Sequence, residues 1–261
     1  MGGFSFASVI LSYFLVAGGT FLTTLVAARL GVHNEYLGYL IMAVGGFLGG
    51  LIAARASAGS TVLEPALGSV LMVGSLLVLG LAVSDESARS IMLLPGTIKG
   101  LALTAGASAG GGIVGAIASE KLFGASTQSS APWMLYVALA GFGAGVIGSI
   151  FGGVLGKGEA GAFYGVVAIC CLLVGLASGA SARTRPLLAT LVGGAIGVGA
   201  FFFLAIVIFV ALFSPNASGA EIPKEVYVGL GIVAVGAGLV TMIGALIGWL
   251  AVGKKGSTAA A

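Results

Sequence analysis

Charged residues in this sequence are confined to the gaps between eight long apolar stretches or to their ends, and this pattern constrains the fold more than any other feature. A charged side chain at the centre of a bilayer costs at least about 2.5–3.5 kcal/mol. A run of about 20 apolar residues, in contrast, crosses the bilayer as a helix. We therefore predict an all-α integral membrane protein with about eight transmembrane helices. The predicted spans are residues 4–30, 36–54, 63–83, 98–119, 133–156, 162–182, 187–213 and 226–253.

The composition excludes the other common classes of protein. Apolar residues make up 59% of the chain and charged residues 7%, whereas about a quarter of the residues in soluble domains are charged. The apolar runs are continuous rather than alternating, which is typical of helices and not of transmembrane strands. The net charge of +3 comes from scattered side chains, so no nucleic-acid partner is expected. The lipid bilayer is the expected surrounding.

Residues that carry catalysis or bind metals are scarce. His33 is the single histidine, and Cys170 and Cys171 are the two cysteines. Adjacent cysteines do not form an ordinary disulfide, and this set is too small for a zinc, haem or iron–sulfur site. No acid–base pair and no nucleophile with a partner is recognisable. We expect no catalytic residue, cofactor or metal, and interpret the cysteines as packing residues.

Glycine is strongly enriched, with 47 residues among 261. Many glycines recur at a spacing of four, which places both members of a pair on one face of a helix. Such faces let helix backbones approach closely in lipid, where van der Waals contact drives association. They predict tight packing within the chain, an interface in a homo-oligomer or larger membrane complex, or a narrow path. The predicted packing residues are Gly45, Gly46, Gly49, Gly50, Gly106, Gly110, Gly111, Gly115, Gly141, Gly145, Gly148, Gly152, Gly156, Gly175, Gly179, Gly193, Gly197, Gly244 and Gly248.

The sequence also predicts an internal repeat. Shifting the chain by 125 residues aligns spans 1–2 with spans 5–6, so that Gly18 meets Gly143 and Tyr39 meets Tyr164. The same shift aligns Lys99 at the start of span 4 with Lys224 just before span 8, whereas spans 3 and 7 require a gap of four residues. Two four-helix units, 1–125 and 126–261, are therefore expected. Because each has an even number of spans, the two units are predicted to be parallel.

The distribution of basic residues predicts that both termini are cytoplasmic. Arg183 and Arg185 in the sixth connection, and Lys254 and Lys255 in a short C-terminal tail, lie without acidic neighbours on the predicted inner side.

Two functions remain open at this stage. The first is a structural or assembly subunit that associates through its small-residue helix faces, with the aromatic run 201–203 turned toward lipid or a neighbouring subunit. The second is a passive transporter or channel-like component for a small uncharged solute. It predicts a polar path between the two halves, lined by Thr24, Tyr39, Ser149 and Tyr164. Charge-coupled transport is disfavoured, because the spans carry no charge near their centres.

Overall fold

The computed structural model describes residues 4–31, 35–56, 62–123, 130–181, 187–213 and 223–257, and all regular structure within these ranges is helical. His33, Arg183 and Arg185, which are named above from the sequence, lie outside the described residues. In chain order the helices are α1 (Phe6–Arg29), α2 (Glu35–Ala56), α3 (Leu63–Val83), α4 (Glu86–Met92), α5 (Pro95–Phe123), α6 (Ser130–Leu155), α7 (Ala160–Ser181), α8 (Leu187–Phe213) and α9 (Lys224–Ser257).

Eight of these helices, all except α4, are long and apolar enough to cross a membrane, which confirms a multi-pass membrane protein. Their outward faces carry large apolar side chains, including Phe6, Leu188 and Ile232, each more than 60% exposed. Soluble proteins rarely expose so much contiguous apolar surface, whereas lipid accommodates it. Helix α9 extends to Ser257, so Lys254 and Lys255 continue this helix instead of forming a separate tail.

The centre of the bundle is formed by α1 and α6. Helix α1 packs against α2, α3, α6 and α7, and α6 packs against α7 and α8. Phe14 and Val16 on α1, with Val137 and Ala144 on α6, are almost completely buried in one apolar cluster. The remaining helices lie around this pair, with α5 packed on α2 and α3, and α9 packed on α7 and α8.

Hydroxyl groups inside the spans are bonded largely to their own helices. Ser12, Thr24 and Thr241 each donate to the carbonyl oxygen four residues earlier, at 2.7–2.8 Å. This local bond satisfies the hydroxyl without a partner on another helix. A cross-helix exception is the pair Tyr13 and Ser75, whose hydroxyl oxygens lie 2.9 Å apart.

Candidate functional site

Glycines on α2 and α5 bring these two helix backbones into direct contact. A methyl group added at Gly46 would overlap the carbonyl oxygen of Ser108, and one at Gly50 would overlap the carbonyl oxygen of Gly112. From the other helix, Gly111 lies against Ala43 in the same way. The equivalent contact of Gly115 is with the carbonyl of Phe47, and Gly45 and Gly49 lie against Thr20 and Val16 of α1.

The second half of the chain contains a comparable contact between α7 and α9. Methyl groups at Gly175 and Gly179 would overlap the carbonyl oxygens of Thr241 and Ala245. From the other helix, Gly244 lies against Leu172 and Gly248 lies against Leu176.

The predicted packing glycines on α6 and α8 also lie against other parts of the chain. Gly141 is in ordinary van der Waals contact with α8, and Gly145 lies against the ring of Phe201. Their neighbours along the two helices are similarly covered: Gly148 by Val167, Gly152 by Phe163, Gly193 by Val137 and Gly197 by Ala138, while Gly156 lies against Phe163 and the carbonyl of Gly152.

Gly106 and Gly110 on α5 differ from the other predicted packing residues. A methyl group added at either position would meet no atom within 4 Å. Both glycines belong to an exposed face of α5 that also contains Leu103, Val114 and Ile117. We refer to these five residues as the α5 face.

The two central helices touch at a pair of glycines. A methyl group at Gly143 of α6 would overlap the carbonyl oxygen of Phe14, and one at Gly18 of α1 would lie 3.3 Å from the Gly143 nitrogen. The backbones are therefore in contact at this crossing, which leaves no passage there.

The four residues predicted to line a solute path have different surroundings. Thr24 is exposed, and its hydroxyl donates to the Thr20 carbonyl at 2.8 Å. Tyr39 lies beside Gly100 of α5, whereas Tyr164 lies beside α9. The Ser149 hydroxyl is buried without a hydrogen-bond partner.

The aromatic run on α8 is only partly as predicted. Phe201 is 6% exposed and packs in the interior against Phe21 and Phe142, with ring centroids 5.7 Å apart in both pairs. Phe203 is 46% exposed, in agreement with a residue that faces lipid. The expectation that the whole run faces outward is therefore wrong for Phe201, because one face of a helix in a bundle must pack against its neighbours.

Two open cavities lie on the outside of the second half. The first is a groove of about 280 Å³ between α7 and α9. The second, about 270 Å³, lies at the turn between α6 and α7, and Tyr164 lines both. The sequence analysis did not identify either cavity, although it singled out Tyr164.

A carboxylate is buried at the end of a span. Glu64, in the first turn of α3, is 4% exposed and accepts a hydrogen bond from the backbone N–H of Ser5 at 3.2 Å. The positive ends of the α1 and α3 dipoles favour a carboxylate at this position. The sequence placed Glu64 at a helix end but did not show that it is buried.

Within the described parts of the chain, no group of three His, Cys, Asp or Glu side chains could hold a metal ion. Cys170 and Cys171 on α7 are free thiols, and each is buried in an apolar cluster.

Comparison with known proteins gives no relative for this chain: no family model, no curated protein and no solved structure matches it.

Proposed function

We propose that the protein is a structural subunit of the membrane, without enzymatic activity, that assembles with a second copy of itself through the α5 face. The observation that carries this proposal is the open space beside Gly106 and Gly110. The other predicted packing glycines already contact parts of the same chain. The α5 face is thus the small-residue surface among them that is available to a partner.

The shape of the α5 face supports a helix as its partner. Leu103 and Val114 are 50% and 57% exposed and flank the two glycines along the helix. The glycines form a notch between these larger side chains, and a second backbone fits closely into such a notch. Two copies related by a two-fold axis would present the same face to one another.

The proposal includes a duplicated four-helix unit, and the helix contacts support it. Gly68 of α3 lies against Ser12 of α1, and Gly193 of α8 lies against Val137 of α6. Each member of the second pair follows its counterpart by 125 residues. This relation favours the same shift for α3 and α8, without the gap that the sequence alignment introduced before them.

The fourth helix of each unit supports a different shift. Gly115 lies against Phe47, and Gly244 lies against Leu172. Phe47 and Leu172 differ by 125 positions, whereas Gly115 and Gly244 differ by 129. One additional helical turn in the second unit accounts for the difference.

We further propose that the two units are parallel and that both termini are cytoplasmic.

The transport alternative has weaker support. It requires a polar path between the halves, but α1 and α6 touch at Gly18 and Gly143. The hydroxyl of Thr24 is bonded to its own helix, and Tyr39 and Tyr164 lie beside α5 and α9, respectively. Substitution of Thr24 and Ser149 by Ala is expected to leave solute flux into proteoliposomes unchanged, and a loss of flux would favour the transporter.

The assembly proposal predicts that the double variant G106L/G110L separates the copies. Leucine fills the notch and keeps the second backbone away, yet both positions face open space, so the fold of the chain is expected to be retained. The mass of particles extracted with native lipid, measured by mass photometry, is expected to fall from an oligomer to a monomer.

The matched control for this experiment is G74L, because Gly74 on α3 also has no atom near its missing side chain. This control is expected to retain the particle mass of the wild type. A wild-type chain that is already monomeric, or a double variant of unchanged mass, would contradict the proposal.

A further inference from the structure

The groove between α7 and α9 has the composition of a binding site for an acyl chain. Its lining includes Val167, Ala168, Gly236 and Val240, and Tyr164 is the lining residue that carries a side-chain oxygen. A methyl group at Gly236 would meet no atom within 4 Å, which agrees with an open wall. Its volume of about 280 Å³ is close to the lower end, about 300 Å³, of small-ligand sites. The groove is therefore of a size that suits a single acyl chain.

The groove lies where two glycines that close the corresponding helix pair of the first half are replaced by larger residues. In the first half, Gly46 touches Ser108, which closes α2 on α5. By the proposed repeat, the corresponding residues are Cys171 and Ala237, and both line the groove. The side chain of Cys171 occupies the volume that Gly46 leaves to the opposite backbone.

A second residue difference between the two halves lies at the same position along these helices. Gly111 touches Ala43 in the first half, whereas the corresponding residues Val240 and Ala168 lie on opposite walls of the groove. One turn further along, Gly175 again contacts Thr241. The two helices are thus held apart only over the part of their length that ends at Tyr164.

The groove and the second cavity are neighbours, because Tyr164 lines both. This cavity is lined by Gly152, Gly158, Glu159 and Phe163, and it shares Tyr164 with the groove. Gly158 has φ +90°, a conformation that favours glycine, and its missing side chain leaves the cavity open. An apolar groove beside a small cavity with one carboxylate matches the shape of an amphiphile.

We infer that these two cavities bind one phospholipid, with an acyl chain between α7 and α9 and an amine-bearing headgroup beside Glu159. The groove opens on the outside of helices that cross the membrane, where acyl chains are the surrounding medium. Glu159 lines the second cavity and Lys157, two positions earlier, does not, so the charge at the cavity wall attracts a primary amine and repels an anionic headgroup. Within a bilayer the hydrophobic effect does not drive an acyl chain into the groove. The preference for one lipid over another therefore depends on packing and on the headgroup.

The test uses the full chain in phosphatidylcholine vesicles that contain a trace of photoreactive lipid. Phosphatidylethanolamine and phosphatidylglycerol carry the same photoreactive acyl chain in separate samples. After irradiation, labelled peptides are mapped by mass spectrometry. Phosphatidylethanolamine is expected to label residues 164–171 and 233–240 several-fold more than phosphatidylglycerol does.

Three variants and one matched control separate the parts of this inference. G236L fills the groove and is expected to abolish the excess labelling by phosphatidylethanolamine, as is A168L from the opposite wall. G231L is the matched control, since Gly231 lies on the same helix in open space outside the groove. E159Q is expected to retain labelling of the groove but to remove the difference in labelling between phosphatidylethanolamine and phosphatidylglycerol.

Two results would overturn the inference. Equal labelling of G236L, A168L and the wild type would show that the acyl chain lies elsewhere. Equal labelling of the wild type by the two lipids would refute the role of Glu159. Neither result bears on the α5 face, which lies on another helix and is tested by particle mass.

Discussion

At the scale of single residues, Glu64 illustrates how one polar contact holds two helix ends together. Its carboxylate accepts the backbone N–H of Ser5, 59 positions earlier in the chain. Ser5 in turn caps α1, because its side chain accepts from the backbone N–H of Ser8 at 3.3 Å. The two bonds satisfy N–H groups that a helix start leaves without partners inside the helix.

We predict that E64L loosens the start of α1, whereas E64Q has little effect. Leucine leaves the Ser5 N–H without its acceptor, at a cost of about 1 kcal/mol, or roughly a fivefold faster amide exchange. Glutamine keeps a carbonyl oxygen at the same place. Hydrogen exchange of residues 4–9, followed by mass spectrometry, measures the difference. Identical exchange in E64L and the wild type would refute this role of Glu64.

At the scale of elements, the short helix α4 is stabilised by hydrogen bonds of two side chains, Asp85 and Arg89. The Asp85 side chain accepts from the backbone N–H of Ala88 at 2.8 Å and from the Ser87 hydroxyl at 2.9 Å. Arg89 donates to the carbonyls of Leu81 and Ala82 at the end of α3. One arginine thereby fastens α4 to the helix before it.

The order of α4 is predicted to depend on pH through Asp85. The N–H of Ala88, followed by the hydroxyl of Ser87, lowers the pKa of Asp85 below its ordinary value. A lowered pKa in the folded state means that the cap is fully formed above the ordinary pKa and is lost as pH falls through the folded value. Exchange of the Ala88 amide is expected to accelerate in that acidic range, once corrected for its intrinsic rate.

The matched variant for this prediction is D85N, which keeps an acceptor at the cap but does not titrate. Its Ala88 amide is expected to show no acid-induced acceleration beyond the intrinsic rate. The same acceleration in D85N and the wild type would assign the effect to another group.

The sequence predicted the long helices well and the short one not at all. Residues 63–83 and 187–213 were predicted with the bounds that α3 and α8 have, because hydropathy alone determines a membrane span. Helix α4 has seven residues and depends on caps. A hydropathy pattern therefore contains no signal for it.

The faces of the helices were also beyond prediction. Gly46 and Gly50 have the same spacing as Gly106 and Gly110, yet the first pair is covered and the second is open. In a soluble helix, polar residues identify the outward face. These helices are apolar on every side, so the sequence predicts that glycine faces exist but not which partner each one contacts. Both cavities beside Tyr164 were missed for the same reason.

At the scale of the whole molecule, the stability of the bundle depends on the crossing of α1 and α6. These helices belong to different halves and contribute most of the central apolar cluster. Their backbones touch at Gly18 and Gly143, and these are the two residues that the shift of 125 positions pairs. In a two-fold arrangement, equivalent residues meet at the axis, so this crossing is where the proposed repeat places its axis.

We predict that G143A destabilises the bundle and that G153A does not. The new methyl group at position 143 would overlap the Phe14 carbonyl, so the central helices must separate. Overpacking of this kind costs typically about 1–3 kcal/mol. Gly153 lies on the same helix with no atom within 4 Å, so alanine there is neutral or slightly favourable through helix propensity. Unfolding in a titration with sodium dodecyl sulfate, followed by fluorescence of the buried Trp133, compares the two. Equal midpoints would mean that the halves are not held together at this crossing.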